Sequence, residues 1–278
     1  MLELLQKLGL PKVSASTQGP AIDQVISLTH WLMLILFVGW GIFFIYTLIR
    51  FRASKNTKAE YSGVRNHYSS YLEAGVAVIE VALLIGFAFP IWASRVNDVP
   101  IDKEAVQIRV VGQQFAWNIH YPGPDGVFGN SSVDLVDEAE NPIGLDRSDD
   151  FAKDDVVTVN QLHIPVNTPI NISLSTKDVI HSFSLTELRV KQDAIPGMEI
   201  PVWFEATMTT EEFLKTTIGT GREGKGFEIA CAQLCGLGHY RMKGFLTVHN
   251  DEGYSAWLQK ELEYLEEEED DDWGDDEW

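Results

Sequence analysis

The sequence predicts a membrane-anchored all-β protein, a two-helix transmembrane hairpin followed by a β-sandwich or barrel. Three observations carry this. Two long apolar runs lie before residue 95, a basic stretch separates them, and short Val-, Ile-, Phe- and Thr-rich segments follow from residue 105. Composition sets the frame: 278 residues, 45 % hydrophobic and 22 % charged, which suits neither a disordered chain nor a fully embedded one. The net charge of −20 argues against a nucleic-acid binder, which needs a basic face for phosphates. Twelve acidic residues and no Lys or Arg lie in 261–278, so the remainder carries −8. Cys231 and Cys235 are the only cysteines, which excludes a disulfide framework and four-Cys zinc or iron–sulfur sites. Without a Cys-x-x-Cys-His motif, no haem is attached by that route.

Residues 1–24 form a mixed N-terminal segment with no signal-peptide pattern and no lipoprotein cysteine. Ile26 to Ile49 is uncharged and rich in Leu, Ile and Phe, long enough for a hydrocarbon core of ~30 Å. Arg50, Arg52, Lys55, Lys58 and Arg65 mark 50–72 as a basic cytoplasmic loop, opposed only by Glu60. The second span covers about 73–93 and ends around Pro90–Trp92, so the hairpin occupies 25–95. Both termini then face outside, and the domain after residue 95 is periplasmic or extracellular. Glu73 at the cytoplasmic end and Glu80 about two turns inside are costly in lipid and suggest packing against a larger membrane protein.

From residue 105, strands are expected at Val106–Val111, Val156–Val159, Ile170–Ser175, Val202–Ala206, Phe227–Ala230 and Phe245–Val248. They read as an antiparallel sandwich or barrel over 105–250. The Gly-, Pro- and Asp-rich stretch 121–155 is an inserted surface loop. Residues 254–265 space Tyr254, Leu258, Leu262 and Leu265 on one helical face, and 251–278 forms a C-terminal helix and acidic tail.

The chemistry concentrates in Cys231-Ala-Gln-Leu-Cys235-Gly-Leu-Gly-His239-Tyr-Arg-Met242, a loop between two expected strands. Soft sulfur with imidazole selects copper or zinc, and the Met242 thioether, a poor zinc ligand, tips the choice to copper. Two thiolates at this spacing can bridge a pair of coppers, each then needing an imidazole. His239 is one, and His181, following an expected strand, is the best candidate for the other. The competing reading of the cysteine pair is a disulfide, which the nearby His239 and Met242 disfavour. His30, His67, His120, His163 and His249 read as structural, and most Trp and Tyr of the domain as core, with Trp117 set apart as an exception.

From Ile22 to about Asn250 the chain resembles subunit II of the cytochrome c oxidases in the haem–copper superfamily. The two-span hairpin, Asp178-Val-Ile-His-Ser-Phe183, Lys191-Gln-Asp-Ala-Ile-Pro-Gly197 and the Cys231–Met242 loop carry the resemblance. It implies a cupredoxin sandwich with a binuclear CuA centre: His181 and His239 as terminal ligands, Cys231 and Cys235 as bridges, Met242 and the Gln233 backbone carbonyl as weak axial ligands. Glu73 matches a carboxylate at the mouth of a proton path into subunit I. Phe115 stands where the family places a Trp through which electrons enter, with Trp117 in the same cluster. Gln233 stands where many members have Glu, and with Asp193 it is a candidate for a magnesium site. Met198 stands where Arg is common.

The implied function is to accept electrons from a cytochrome c, or a cytochrome c domain, and pass them to haem in subunit I. There oxygen is reduced to water and protons are pumped. Alternatives are the CuA subunit of a nitric oxide reductase and a periplasmic copper carrier. The nitrous oxide enzyme lacks the hairpin, and quinol oxidase subunits lack the ligand set.

Overall fold

The computed structural model describes residues 1–8, 12–58, 61–63, 66–97, 99–100 and 105–272, with backbone alone for 268–272. The end of the expected acidic tail, 273–278, lies outside the described residues. The chain divides into two compact units, one of residues 1–12 and 20–98, the other of 13–19 and 99–278.

The first unit is helical. A short α1 (Leu2–Lys7) precedes α2 (Gly19–Arg50), whose 32 residues reach about 48 Å at 1.5 Å per residue. Pro20 sits in the first turn, where a missing N–H costs nothing. The second run, Tyr68–Asn97, comprises α3 (Tyr68–Leu83), a π-helical turn at Leu84–Ala88 and α4 (Phe89–Asn97). Both runs are long and apolar enough to cross a membrane and carry outward-facing side chains such as Phe37, Ile42 and Ile85. The expectation that the second span ends at Pro90–Trp92 is corrected. Pro90 cannot donate to the carbonyl one turn back, and the chain widens into the π turn just before it rather than stopping.

The second unit is a sandwich of two five-stranded sheets. Its strands are β1 (Val106–Gln113), β2 (Ala116–Tyr121), β3 (Val156–Val159), β4 (Gln161–Pro165), β5 (Pro169–Thr176), β6 (His181–Leu185), β7 (Val190–Ala194), β8 (Ile200–Glu205), β9 (Phe227–Cys231) and β10 (Lys243–His249). One sheet has the order β3-β2-β1-β5-β8, the other β4-β10-β9-β6-β7. The expected all-antiparallel pairing is corrected, because β1 runs parallel to β5 and β10 parallel to β4. Alternation delivers the core: along β5, Ile170, Ile172 and Leu174 point inward while Asn171 and Ser173 do not. Trp117, Phe183, Phe204 and Phe227 fill the centre. Residues 13–19 return to this unit, where Ser16 bridges to Ala206 and the Ala15 N–H donates to the Glu187 carbonyl.

The insertion after β2 is tied to the β1–β2 face. His120 Nε2 meets Asp155 Oδ2 at 2.7 Å with both side chains buried, and the Arg109 guanidinium lies 4.1 Å over the Phe128 ring. Lys177 holds the far side of the loop through Glu138 and the Pro142 carbonyl. Two further helices complete the unit, α5 (Thr210–Thr217), closed by a Thr209–Glu212 capping box, and α6 (Asp251–Asp272). Helix α6 sets Leu258, Leu262 and Leu265 of the expected face against the core together with Trp257, while the expected Tyr254 packs on the Trp257 ring.

Candidate metal centre

Three segments meet at one end of the sandwich: the start of β6, the β9–β10 loop and the β1–β2 turn. Strand β9 pairs with β6 through Phe183 and Cys231, which fixes Cys231 beside the His181 strand. The loop then turns back, and the Cys231 N–H donates to the Met242 carbonyl.

The donor atoms converge. Cys231 Sγ lies 3.8 Å from Cys235 Sγ and 3.9 Å from His181 Nδ1. Cys235 Sγ lies 3.5 Å from His239 Nδ1 and 3.7 Å from Met242 Sδ. The Gln233 carbonyl is 3.1 Å from Cys231 Sγ. The ligand atoms of His181, Cys231 and Cys235 all lie within 4.8 Å of one another. Each imidazole thus faces one thiol, and both thiols are free. The six candidates read from sequence, His181, Cys231, Gln233, Cys235, His239 and Met242, are brought together. Two soft thiols, two imidazoles and a thioether suit a soft metal, and the donor set fits a copper pair.

Burial, then the Cys231 hydrogen bond and charge, push the Cys235 thiol up to about 11. Two thiols this close cannot both ionise without a cation, so metal capture must displace their protons. Burial tends to raise the Asp178 carboxyl, yet its hydrogen bonds from His181, Gln114 and Val179 hold it below the usual carboxylate range. Asp178 Oδ1 sits 2.8 Å from His181 Nε2, which leaves Nδ1 aimed at sulfur. Such an outer carboxylate is what orients a metal-bound imidazole.

Other expected site residues are distributed differently. Trp117 has no exposed surface. Its ring lies 6.0 Å from His181 and 5.4 Å from Phe183, edge-on to both, so the residue that the resemblance groups with Phe115 at electron entry is corrected to a core position with no surface for a donor to touch. As the inward residue of β2 it is claimed by the core. Phe115 is half-buried against the glycines of the metal loop: a Cβ on Gly238 would lie 2.4 Å from its ring. Asp193 is exposed on β7, paired through its backbone with Ser182 beside His181. Glu73 is exposed in α3, and Glu80 lines a cleft of about 310 Å³ with Thr29, Met33 and Leu84.

Sequence reasoning missed Asp178 as a partner of His181, though the i, i+3 spacing was visible, and missed Gln114. It also missed the apolar rim that the ligand loops present, Val179, Ile180, Leu234, Leu237 and Tyr240, with Leu237 98 % exposed. Such a patch marks an interaction surface.

A membrane-anchored, cupredoxin-like domain with a soft-metal site at its loop end is the class that fold and site define. The sequence profile of the family described as "Cytochrome C oxidase subunit II, periplasmic domain" matches residues 106–247. The "Alternative cytochrome c oxidase subunit 2" of Bradyrhizobium diazoefficiens is 33 % identical over 247 residues, spanning 88 % of this chain and 82 % of that protein. The "Cytochrome c oxidase subunit 2" of Cereibacter sphaeroides is 26 % identical over 278 residues, spanning 92 % and 83 %. The crystal structure of the periplasmic domain of subunit II of cytochrome oxidase from Bradyrhizobium japonicum is 28 % identical, covering 60 % of this chain and 99 % of that one, with a TM-score of 0.40. The chain belongs to the cytochrome c oxidase subunit II family. It is the electron-accepting subunit of a haem–copper oxidoreductase complex, and the matches favour neither the nitric oxide reductase reading nor the copper carrier.

Proposed function

We propose that His181, Cys231, Cys235, His239 and Met242, with the Gln233 carbonyl, hold a binuclear CuA centre that takes single electrons from a cytochrome c and delivers them towards haem in subunit I. The observation that carries this reading is the pairing of each thiol with its own imidazole, at 3.9 Å and 3.5 Å, around two sulfurs 3.8 Å apart. A copper pair, when bound, supplies a store for one electron whose charge is shared over two metals and two sulfurs. The chain's own part is rigidity. Strands β6, β9 and β10 fix the ligand stems, and Asp178 holds the His181 ring, so the site need not reorganise as charge changes. Trp117 packs edge-on against His181 from within, is itself backed by Phe183, and keeps water from that side.

Phe115 touches the metal loop and is the point through which electrons enter. The apolar rim around the site provides the docking contact, and the acidic surface of the domain steers a basic donor. The hairpin anchors the subunit in a bacterial inner membrane with the sandwich on the periplasmic face and packs against other oxidase subunits. Glu73 loads protons at the cytoplasmic mouth of a subunit I channel. The test is an EPR spectrum of the purified, copper-loaded chain. The hyperfine pattern of one electron shared by two copper nuclei supports the reading, and the pattern of a single nucleus overturns it.

A further inference from the structure

We infer that Gln114, in the β1–β2 turn, is a positioning residue that yokes the two ligand-bearing segments of the metal centre to each other. The inference rests on the copper reading above and concerns a residue that touches no ligand donor atom. Gln114 works in two directions. Its backbone N–H donates to Asp178 Oδ2 at 2.6 Å, and Asp178 Oδ1 in turn meets His181 Nε2 at 2.8 Å. Its side-chain Nε2 donates to the Cys235 carbonyl at 2.5 Å. An unbroken hydrogen-bonded path therefore runs from the His181 ring through Asp178 and Gln114 to the backbone of Cys235. The segment before β6 and the β9–β10 loop are far apart in sequence, and this path joins them without any metal.

A second observation shows that the loop is shaped around this residue. Gly236 has φ +132°, and a Cβ there would lie 2.7 Å from Gln114 Nε2 and 3.2 Å from the Phe115 ring. A Cβ on Gly238 would meet the same ring at 2.4 Å. The metal loop thus lacks side chains at the two places where the β1–β2 turn bears on it. The Arg241 guanidinium lies 5.8 Å from the Phe115 ring centroid, so the ring also faces the last part of the loop.

The chemistry of the side chain explains the choice. The Cys235 carbonyl needs a donor at its oxygen to hold the peptide that follows the thiol, and that peptide sets where Cys235 Sγ points. Leu has the size of Gln but no N–H. Glu has the shape but offers an acceptor to an acceptor. Either substitution keeps the backbone bond to Asp178 and breaks the side-chain bond to Cys235, so His181 stays held while Cys235 loses its reference. The predicted consequence falls on the metal rather than on the fold.

The experiment uses the full chain in detergent, comparing wild type with Gln114→Leu and Gln114→Glu. Copper affinity is measured by competition with a chelator, the centre by EPR and absorption, and folding by thermal unfolding of the metal-free chain. Both variants should unfold like the wild type when metal-free, bind copper about 10- to 100-fold more weakly, and show altered hyperfine splitting. Wild-type affinity and spectrum in both variants overturn the inference. Loss of metal-free stability with an unchanged spectrum, or failure of both variants to fold, assigns Gln114 to general structure and overturns it equally. If the wild type itself shows no copper pair, it is the copper reading that fails.

Discussion

The far end of the sandwich is built to respond to acid. His163 on β4 and His249 on β10 share a proton, Nδ1 to Nε2 at 2.8 Å, and Trp257 of α6 stacks on the His163 ring at 4.4 Å and 3°. The Tyr121 hydroxyl accepts from the His163 N–H and donates to its carbonyl. Burial, then the neighbouring His249, lowers His163 to about 4, and burial lowers His249 as well. The folded values lie below the unfolded value near ~6.5, so the unfolded state binds more protons. The resulting stability is present above pH ~6.5 and is lost as pH falls towards 4. For His163 alone, linkage sets the loss between neutral pH and pH 5 at about 2 kcal/mol. The ring keeps some solvent contact, and roughly half of that survives screening, about 1 kcal/mol. Tyr121 and Tyr254, both raised by burial, stay neutral in this window. Hydrogen exchange of α6 amides, corrected for intrinsic rates, should therefore quicken about fivefold from pH 7.5 to 5 in the wild type. His163→Phe keeps a ring under Trp257 and should flatten that dependence. Equal protection at both pH values in the wild type, or an equal loss in His163→Phe, would refute the reasoning.

At the metal end, Cys231→Ser or Cys235→Ser should abolish the copper pair, because a hydroxyl is a poor bridge for a soft metal; metal content and visible absorption check this. Gly238→Ala should cost about 1–3 kcal/mol in thermal unfolding through its collision with Phe115, and should cost much less when introduced into Phe115→Ala, where the colliding ring is gone. Glu73→Ala should slow turnover of the assembled oxidase while leaving the copper spectrum unchanged; wild-type turnover would leave Glu73 a residue that merely reaches for the interface. Gln233 offers a neutral amide where a hard cation prefers a carboxylate, so manganese supplied in place of magnesium should bind stoichiometrically, by EPR, only in Gln233→Glu.

Much of this was legible in the chain, for reasons that differ by element. The spans announced themselves by length and composition, and only the behaviour at Pro90 was misjudged, since a π turn leaves no mark in hydropathy. Strands β1, β3, β5, β8, β9 and β10 were visible as β-branched and aromatic runs. Strands β2, β4, β6 and β7 were not, and the reasons are particular. Strand β2 is Ala-Trp-Asn-Ile-His-Tyr, with Asn118 and His120 buried beneath the insertion, so its alternation is masked. Strand β6 is buried on both sides and carries serines, and β7 is an edge of Val-Lys-Gln-Asp-Ala. The cluster of soft donors proposed as metal ligands was legible because such residues at short spacing have few other uses. The residues that hold them were not: Asp178 and Gln114 act across segments, and a hydrogen bond between a turn amide and a distant carbonyl has no local signature.

The departure at Phe115 takes on a different meaning once its surroundings are known. Read along the chain, it stands where the resemblance places a Trp for incoming electrons. In the fold, its ring presses on Gly236 and Gly238 while the Arg241 guanidinium approaches it, and its neighbour Gln114 bonds the Cys235 carbonyl. The β1–β2 turn is therefore first a brace for the metal loop. A ring in van der Waals contact with the loop that carries Cys235 is also a short route to it, so packing and electron passage place the same demand on this position: an aromatic side chain held close. Phe meets it with less surface than Trp and without an N–H that would need a partner. The exposed apolar side chains of the ligand loops, Leu234, Leu237 and Tyr240 above all, then supply contact area that a smaller ring gives up. If electrons enter as proposed, the change at Phe115 moves part of the donor contact onto the metal loop itself. Leu237→Asp, which leaves every ligand in place, should weaken donor binding more than Phe115→Trp strengthens it.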